Sequence, residues 1–318
     1  MPNLQEAVVL CTRNRPAELT QTLRSVAEQD GAADRLVLVV DASDAEKGPQ
    51  VDQSVSSLRT QGLPVQSHRY TGTPSLARQR NEGVDQLPDA VEVVHFIDDD
   101  VTLENGYFST LTGVLASRPE VGGVGGVIHE RSAPSFPPPL SKRAFLLGDT
   151  TPGRVLLSGC AAPAQRPACL SNDTLLPTEW LSGCSSSYRR RLLEEHRFDE
   201  ALTGYSMLED LDLSYRVGQS NPLVVAPSAQ LLHRRAAQNR PNPEQYHYAL
   251  TVHRRWFVEK HFGSRRARLA YAWSLVGRLL ALCTSAAPAR AALRGLLRGV
   301  ATVCTRQHPL LCAPAPNG

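Results

Sequence analysis

Apolar positions along the first 130 residues alternate between two rhythms. Runs at 7–11 (AVVLC), 36–40 (LVLVV), 65–70, 91–97 (VEVVHFI) and 121–128 read as strands. Continuous apolar runs such as LVLVV are the mark of parallel strands covered on both faces. Between them the apolar residues space out. Pro16 suits the first turn of a helix, and Leu19, Leu23, Val26 and Ala27 follow at helical intervals. Helices are also predicted over 50–61, 75–86 and 105–117. This β–α alternation predicts an α/β fold with a doubly wound, mostly parallel sheet. Residues 130–178, with PSFPPP at 134–139, break the rhythm and read as a long irregular surface segment. Helices are predicted again at 188–196 and 208–219, short strands at 223–226 and 230–233, and a long helix at 244–262. The tail, 266–306, reads as two helices broken at Pro288.

Composition adds limits. The 318 residues are 42% hydrophobic, enough for one large α/β domain with an appendage. The net charge of +3 is unevenly placed: from Ser264 to Gly318 there are eight Arg and no Lys, Asp or Glu, so +8 in the tail leaves −5 for the rest. Such a tail favours an anionic surface. Arg290, Arg294 and Arg298 fall on one helical face and Leu293, Leu296, Leu297 and Val300 on another, which suits a helix lying on an anionic membrane or packed as a cap. Leu269 to Ala287 is the most apolar stretch, but Arg278 interrupts it, and a spanning helix is not favoured. The start, MPNLQEAVVLC, lacks the basic region of a signal peptide. Seven cysteines (Cys11, Cys160, Cys169, Cys184, Cys283, Cys304, Cys312) without a CxxC predict neither a disulfide framework nor a zinc site. These features point to a cytoplasmic protein, peripheral on the membrane's cytoplasmic face.

The candidate chemistry lies where open parallel sheets bind ligands, beyond the carboxyl ends of the strands. The first strand runs into Thr12-Arg13-Asn14-Arg15, the second into Asp41, the fourth into Asp98-Asp99-Asp100. Three adjacent carboxylates repel one another and call for a hard cation, Mg²⁺ or Mn²⁺; the plain alternative is a solvated turn. Ser75-Leu76-Ala77-Arg78 with Arg80-Asn81 opens a helix that could reach a phosphate. Glu209 and Asp210 open another, within LEDLDLSYRV, where ordinary helix-dipole complements are the plain alternative.

Taken in order, VVLCTRNRPAELTQTLRSV, LVLVVDASD, SLARQRNEG, HFIDDDV, WLSGCSSSYRR and LEDLDLSYRV, with His233 beyond, resemble the family 2 glycosyltransferases over roughly 6–262. The resemblance implies a Rossmann-like GT-A domain at 1–262, with a nucleotide half to about 128 and an acceptor half at 129–262, before a basic helical tail at 263–318. It implies inverting transfer from a nucleotide-sugar donor to a hydroxyl on a glycan or lipid-linked acceptor, in cell-envelope polysaccharide or glycolipid assembly. Thr12, Arg15 and Asp41 would hold base and ribose, and Arg78 the diphosphate. Asp98 and Asp100 would match the ends of a D-x-D motif binding ribose and metal, with Asp99 able to take either role. His233 would complete the metal site. Asp210 would be the base with Glu209 beside it, and Trp180 and Gly183 would lie on the acceptor side. The tail, 265–306, would meet an anionic membrane; no nucleic-acid partner is expected.

Other classes fit less well. Asp98-Asp99-Asp100-Val101-Thr102 matches the DxDxT of haloacid-dehalogenase phosphatases, but Gly148-Asp149 is followed by Gly153 where a second Asp should stand. A sugar-phosphate nucleotidyltransferase would want a Gly-rich loop where CTRNRPAEL stands, and a dinucleotide-binding enzyme fails because GGVGG at 122–126 does not complete GxGxxG. A non-catalytic glycan-binding relative would not need Asp98, Asp100 and Asp210.

Overall fold

A computed structural model describes residues 4–130, 138–164, 174–238, 240–284 and 289–312. Most of PSFPPP, Cys169 and Pro288 lie outside the described residues. The six described cysteines are free. Two compact units form: the first comprises 1–133, 164–204 and 209–239; the second, 134–163, 205–208 and 240–318.

Among the described residues, the first unit is built on a nine-stranded sheet. Four strands, β1 (Glu6–Thr12), β2 (Leu36–Asp41), β3 (Val65–Arg69) and β4 (Val93–Asp98), are parallel, in the order β3-β2-β1-β4. The predicted alternation with helices holds: α1 (Pro16–Ala27), α2 (Gly48–Thr60), α3 (Leu76–Asp85) and α4 (Tyr107–Ser117) fall close to their expected places. Strand residues alternate between two cores, as a period of two requires. Val8, Leu10, Val37 and Val39 pack with Leu19, Leu23, Val51 and Val55 of α1 and α2. Ala7, Val9, Leu38 and Val40 pack with Ala77 and Val84 of α3 and with Leu213 and Val217 further along the chain. Helices therefore cover both faces.

Beyond β4 the chain departs from simple alternation. A two-residue turn at Asp99-Asp100 leads into β5 (Val101–Leu103), which runs back antiparallel. After α4 comes β6 (Gly123–His129). The stretch expected to be wholly irregular contains α5 (Leu140–Ala144) and β7 (Leu176–Thr178). The helix predicted at 188–196 is present as the short α6 (Arg190–Glu195), and an unpredicted strand, β8 (Ser185–Arg189), precedes it. β8 lies antiparallel between β4 and β6. Its SSSYR sequence has no apolar run to announce it; its serines instead satisfy buried partners, as Ser187 does for His95 Nδ1 at 2.7 Å. After α7 (Glu209–Gly218), the two short strands expected at 223–233 are one, β9 (Leu223–His233), parallel to β6 with a register shift between Gly126 and Val127. Pro227, which cannot donate a ladder hydrogen bond, falls in that irregular stretch. β1, β2, β3, β4, β6 and β9 thus all run one way.

In the second unit, α8 (Pro243–His261), α9 (Arg265–Thr284), α10 (Ala289–Thr305) and the short α11 (Pro309–Cys312) assemble. Asn242 and Gln245 form a capping box at the start of α8. Ala292, Gly295, Leu296 and Gly299 make the buried stripe of α10, where a Cβ on Gly295 or Gly299 would strike Glu244 or Thr251 of α8. Arg294 and Arg298 both pair with Glu244. Exposed apolar residues gather on α9, at Leu269, Trp273, Val276, Leu279 and Leu280, while Leu297 is exposed on α10. Among the described residues, no helix is long and apolar enough to cross a membrane.

Candidate active site at the carboxyl edge of the sheet

The parallel register aligns the ends of the central strands. Thr12 lies opposite Asp41, and Cys11 opposite Asp98. Pairing of β5 with β9 sets Val101 opposite His233, one residue past Asp100. The missed strand β5 is therefore what carries a histidine from 133 residues further along to the aspartates.

The three aspartates face two directions. Asp99 turns toward the first loop, where it accepts hydrogen bonds from Thr12 Oγ1 at 2.7 Å and Arg15 Nη1 at 2.9 Å. Burial pushes its carboxyl up to about 6 against the pull of Arg15. Asp98 and Asp100 turn toward His233, and ligand atoms of the three lie within 4.8 Å of one another. His233 Nε2 is 3.2 Å from Asp100 Oδ1, and its Nδ1 is 3.1 Å from Glu130 Oε1. Burial opposes the charge on Asp100, but the hydrogen bond and charge of His233 outweigh it and bring the carboxyl down to about 2. Burial also opposes the imidazolium, and here too Asp100 and Asp98 prevail, raising His233.

Arg80 joins this edge to the start of α7. Its guanidinium is buried, 3.0 Å from Glu209 Oε1 and 3.2 Å from Asp98 Oδ1, and donates to the Gly183 carbonyl at 2.9 Å. The rings of Phe96 and Phe198 lie under it at 5.7 and 5.4 Å. Burial, with Asp210 next, raises Glu209 well above the ordinary carboxylate range. Asp210 is half-buried; its Oδ2 accepts from the Gly183 amide at 2.9 Å and its Oδ1 from Leu211 N at 2.8 Å. Gly183 thus touches both sides of the cluster. A Cβ there would sit 2.5 Å from Arg80 Nη1. Gly183→Ala is expected to displace a pinned guanidinium and cost about 1–3 kcal/mol, read as a lower thermal midpoint.

Of the remaining predicted residues, Asp41 lies at the end of β2, Trp180 just past the end of β7, and Arg78 in a different cleft. Asp41 is buried and paired with Arg69, and its Oδ1 accepts from Ser43 N at 2.8 Å. Trp180 is half-buried after β7, its carbonyl taking the Thr178 hydroxyl at 2.8 Å. Arg78 leaves α3 on the far side from Arg80, since two residues along a helix are about 200° apart. It lies 3.8 Å from Glu200, in a cleft of about 220 Å³ also lined by Tyr70, Asn81, Glu82, Asp85 and Arg197. Arg80 was visible only as part of a motif. Its spacing with Ala77 and Val84, at i+3 and i+7, was the signal that it faces inward.

The charge balance favours a cation. Asp98, Asp99, Asp100, Glu209 and Asp210 face Arg15, Arg80 and His233. Arg15 compensates Asp99 and Arg80 compensates Glu209, so the excess negative charge gathers at Asp98 and Asp100. Two carboxylates and an imidazole suit a divalent ion, and Glu130 behind His233 is the outer partner that fixes such a ring.

Over residues 2–257 the sequence matches the family described as "Glycosyltransferase like family 2". The chain belongs to that family. Glycosyltransferases of GT-A fold are among its structural neighbours. GalNAc-T7, solved with UDP, GalNAc and Mn²⁺, superposes with a TM-score of 0.60 at 14% identity, covering 97% of this chain and 59% of that one. The mannosyltransferase PcManGT of Pyrobaculum calidifontis, solved with GDP-Man and Mn²⁺, gives 0.54 at 16% identity and 95% and 81% coverage. TarS 1–349 of S. aureus gives 0.51 at 14%, covering 96% and 92%. This family 2 chain therefore spans about three fifths of the GalNAc-T7 chain. At these identities the likeness fixes the GT-A fold. No protein of curated function matches the sequence.

Proposed function

We propose that the chain transfers a sugar, with inversion, from a nucleotide-sugar donor to a hydroxyl acceptor, assisted by Mn²⁺ or Mg²⁺. The observation that carries this reading is Arg80, which ties Asp98 at the strand edge to Glu209 beside Asp210. One bound sugar can thereby meet both the metal-binding and the proton-accepting carboxylates.

Asp98 and Asp100, the ends of the D-x-D pattern, and His233 would hold the ion. When bound, it supplies positive charge to a departing nucleoside diphosphate. Asp210, its carboxylate fixed by the amides of Gly183 and Leu211, accepts the acceptor's proton as the hydroxyl attacks C1 from the opposite face. A single displacement inverts the anomeric centre. Arg80 holds Glu209 in place and Arg15 holds Asp99 in the wall of the pocket. Thr12, Arg15 and Asp41 line the end assigned to base and ribose, Arg78 is assigned to the diphosphate, and Trp180 and Gly183 to the acceptor side. A glycan or lipid-linked acceptor of the cell envelope fits an enzyme at the cytoplasmic face of the membrane. The exposed Leu269, Trp273, Val276 and Leu280, with Arg265 and Arg266 at the start of the same helix, support an anionic membrane contact.

The test is a panel of nucleotide sugars with Mn²⁺, read by thermal shift and by slow donor hydrolysis. A cognate donor is expected to raise the midpoint and to be consumed. Binding with no turnover under any acceptor would favour a glycan-binding role instead. Loss of the orienting carboxylate in Glu130→Gln is expected to weaken Mn²⁺ binding by about 10–100-fold. Calorimetric titration would read this while folding is unchanged.

A further inference from the structure

The second unit is strongly basic and places two guanidiniums in its interior. Its residues, 134–163, 205–208 and 240–318, hold fifteen Lys and Arg against three acidic side chains, a net +12. Those three are engaged elsewhere: Asp149 with Arg154, Glu244 with Arg294 and Arg298, and Glu259 with Arg255 and Arg268.

Arg254 of α8 and Arg278 of α9 are the buried pair, 2% and 8% exposed. Both sit in the seam between these helices. Arg254 Nη2 donates to Ser274 Oγ at 2.6 Å and to the Ser158 carbonyl at 2.7 Å. Tyr271 OH donates to the Thr251 carbonyl at 2.9 Å, and its ring lies 5.5 Å from the Arg254 guanidinium. Arg278, one turn beyond Ser274, meets His247 Nδ1 through Nη2 at 2.8 Å. Among the described residues, Arg254 Nε and Nη1 and Arg278 Nη1 are buried with no hydrogen-bond partner, and neither guanidinium has a carboxylate within 4.0 Å. Burial, with Arg254 next, brings Arg278 down to about 10. Two like charges enclosed together without a counter-charge are costly to keep.

We propose that the α8–α9 seam is a binding site for a phosphate-bearing ligand, gripped by Arg254 and Arg278. A dianionic oxyanion balances both guanidiniums, as a single carboxylate does not. Its oxygens also suit the planar N–H forks, which prefer phosphate geometry. His247, with Nδ1 accepting from Arg278, is neutral and lends no opposing charge at the seam. The site belongs to the second unit alone and does not depend on the transferase reading.

The experiment is thermal unfolding of the full chain, free of divalent metal, in inorganic phosphate against chloride at matched ionic strength. Phosphate is expected to raise the midpoint saturably, on the order of 5 °C. Arg278→Met is expected to raise the midpoint in chloride, by removing an uncompensated buried charge, and to abolish the phosphate response. Arg265→Met, which removes an exposed charge of the same unit, should leave that response intact. Micelle-free dihexanoyl phosphatidic acid forms a second arm. A larger shift than with inorganic phosphate assigns the site to a lipid headgroup, and an equal or smaller one to a free phosphate. The proposal is overturned if phosphate leaves the wild type unmoved, or if Arg265→Met loses the response as fully as Arg278→Met. Should Arg278→Met not fold, Arg278→Lys serves: it keeps the charge but not the fork, and phosphate binding unchanged within about two-fold would equally end the idea.

Discussion

Asp210→Asn is expected to slow sugar transfer by about 10²–10⁴-fold, the usual contribution of a positioned general base, while donor binding and thermal midpoint stay near those of the wild type. The geometry is what makes the substitution clean. Asp210 accepts two backbone amides, from Gly183 and Leu211, at 2.9 and 2.8 Å. An Asn side chain can keep one through its carbonyl, so the loop before β8 stays anchored while the proton acceptor is gone. Steady-state kinetics with the cognate donor should show the loss in kcat rather than in KM for the donor. Retention of full activity would reassign the base.

Arg80→Met should have the largest effect on stability, about 3–5 kcal/mol, because it strands the buried Glu209 and leaves the part-exposed Asp98 without its cation. A fall in the thermal midpoint on the order of 10 °C would report it. The loss should also depend on pH. Glu209 in the folded chain already takes up a proton more readily than at its ordinary value of 4.5, by burial first and by Asp210 next, with Arg80 pulling the other way. A carboxyl raised on folding contributes stability that is complete below its unfolded value and is lost as pH rises through its folded one. Without Arg80 that folded value climbs further. The gap between wild type and variant should therefore widen only as pH rises through the raised value of Glu209 in the folded wild type. A gap that narrows would mean that Arg80 does not hold Glu209 as a carboxylate.

How much of this was legible in the sequence follows from the kind of signal each part leaves. Strands covered on both faces must be apolar throughout, so β1, β2 and β4 stood out, and their carboxyl ends located Thr12, Asp41 and Asp98. Antiparallel strands that enter late carry no such mark. β8 is mostly serine because its hydroxyls serve buried neighbours, Ser185 taking Tyr107 OH at 2.7 Å and Ser187 taking His95. β5 is three residues long. Without β5 the approach of His233 to Asp100 rested on resemblance alone. The split of roles among the three aspartates was also beyond reach, since a tight turn, not composition, sends Asp99 toward Arg15 and Asp100 toward His233. Arg80 shares a motif with Arg78, yet helical periodicity puts the two on opposite sides of α3.

The late arrival of β8 also dictates the order in which the chain can become native. Until Ser185–Arg189 has left the ribosome, β4 and β6 have no partner between them, and their backbone amides and carbonyls are open edges. A fragment ending near residue 128 would carry every strand up to β6 yet have no means to join the last of them to the rest. Such a fragment should self-associate rather than act as a stand-alone nucleotide-binding module, and the intact chain should fold slowly for its size because its central pairing spans some ninety residues of sequence.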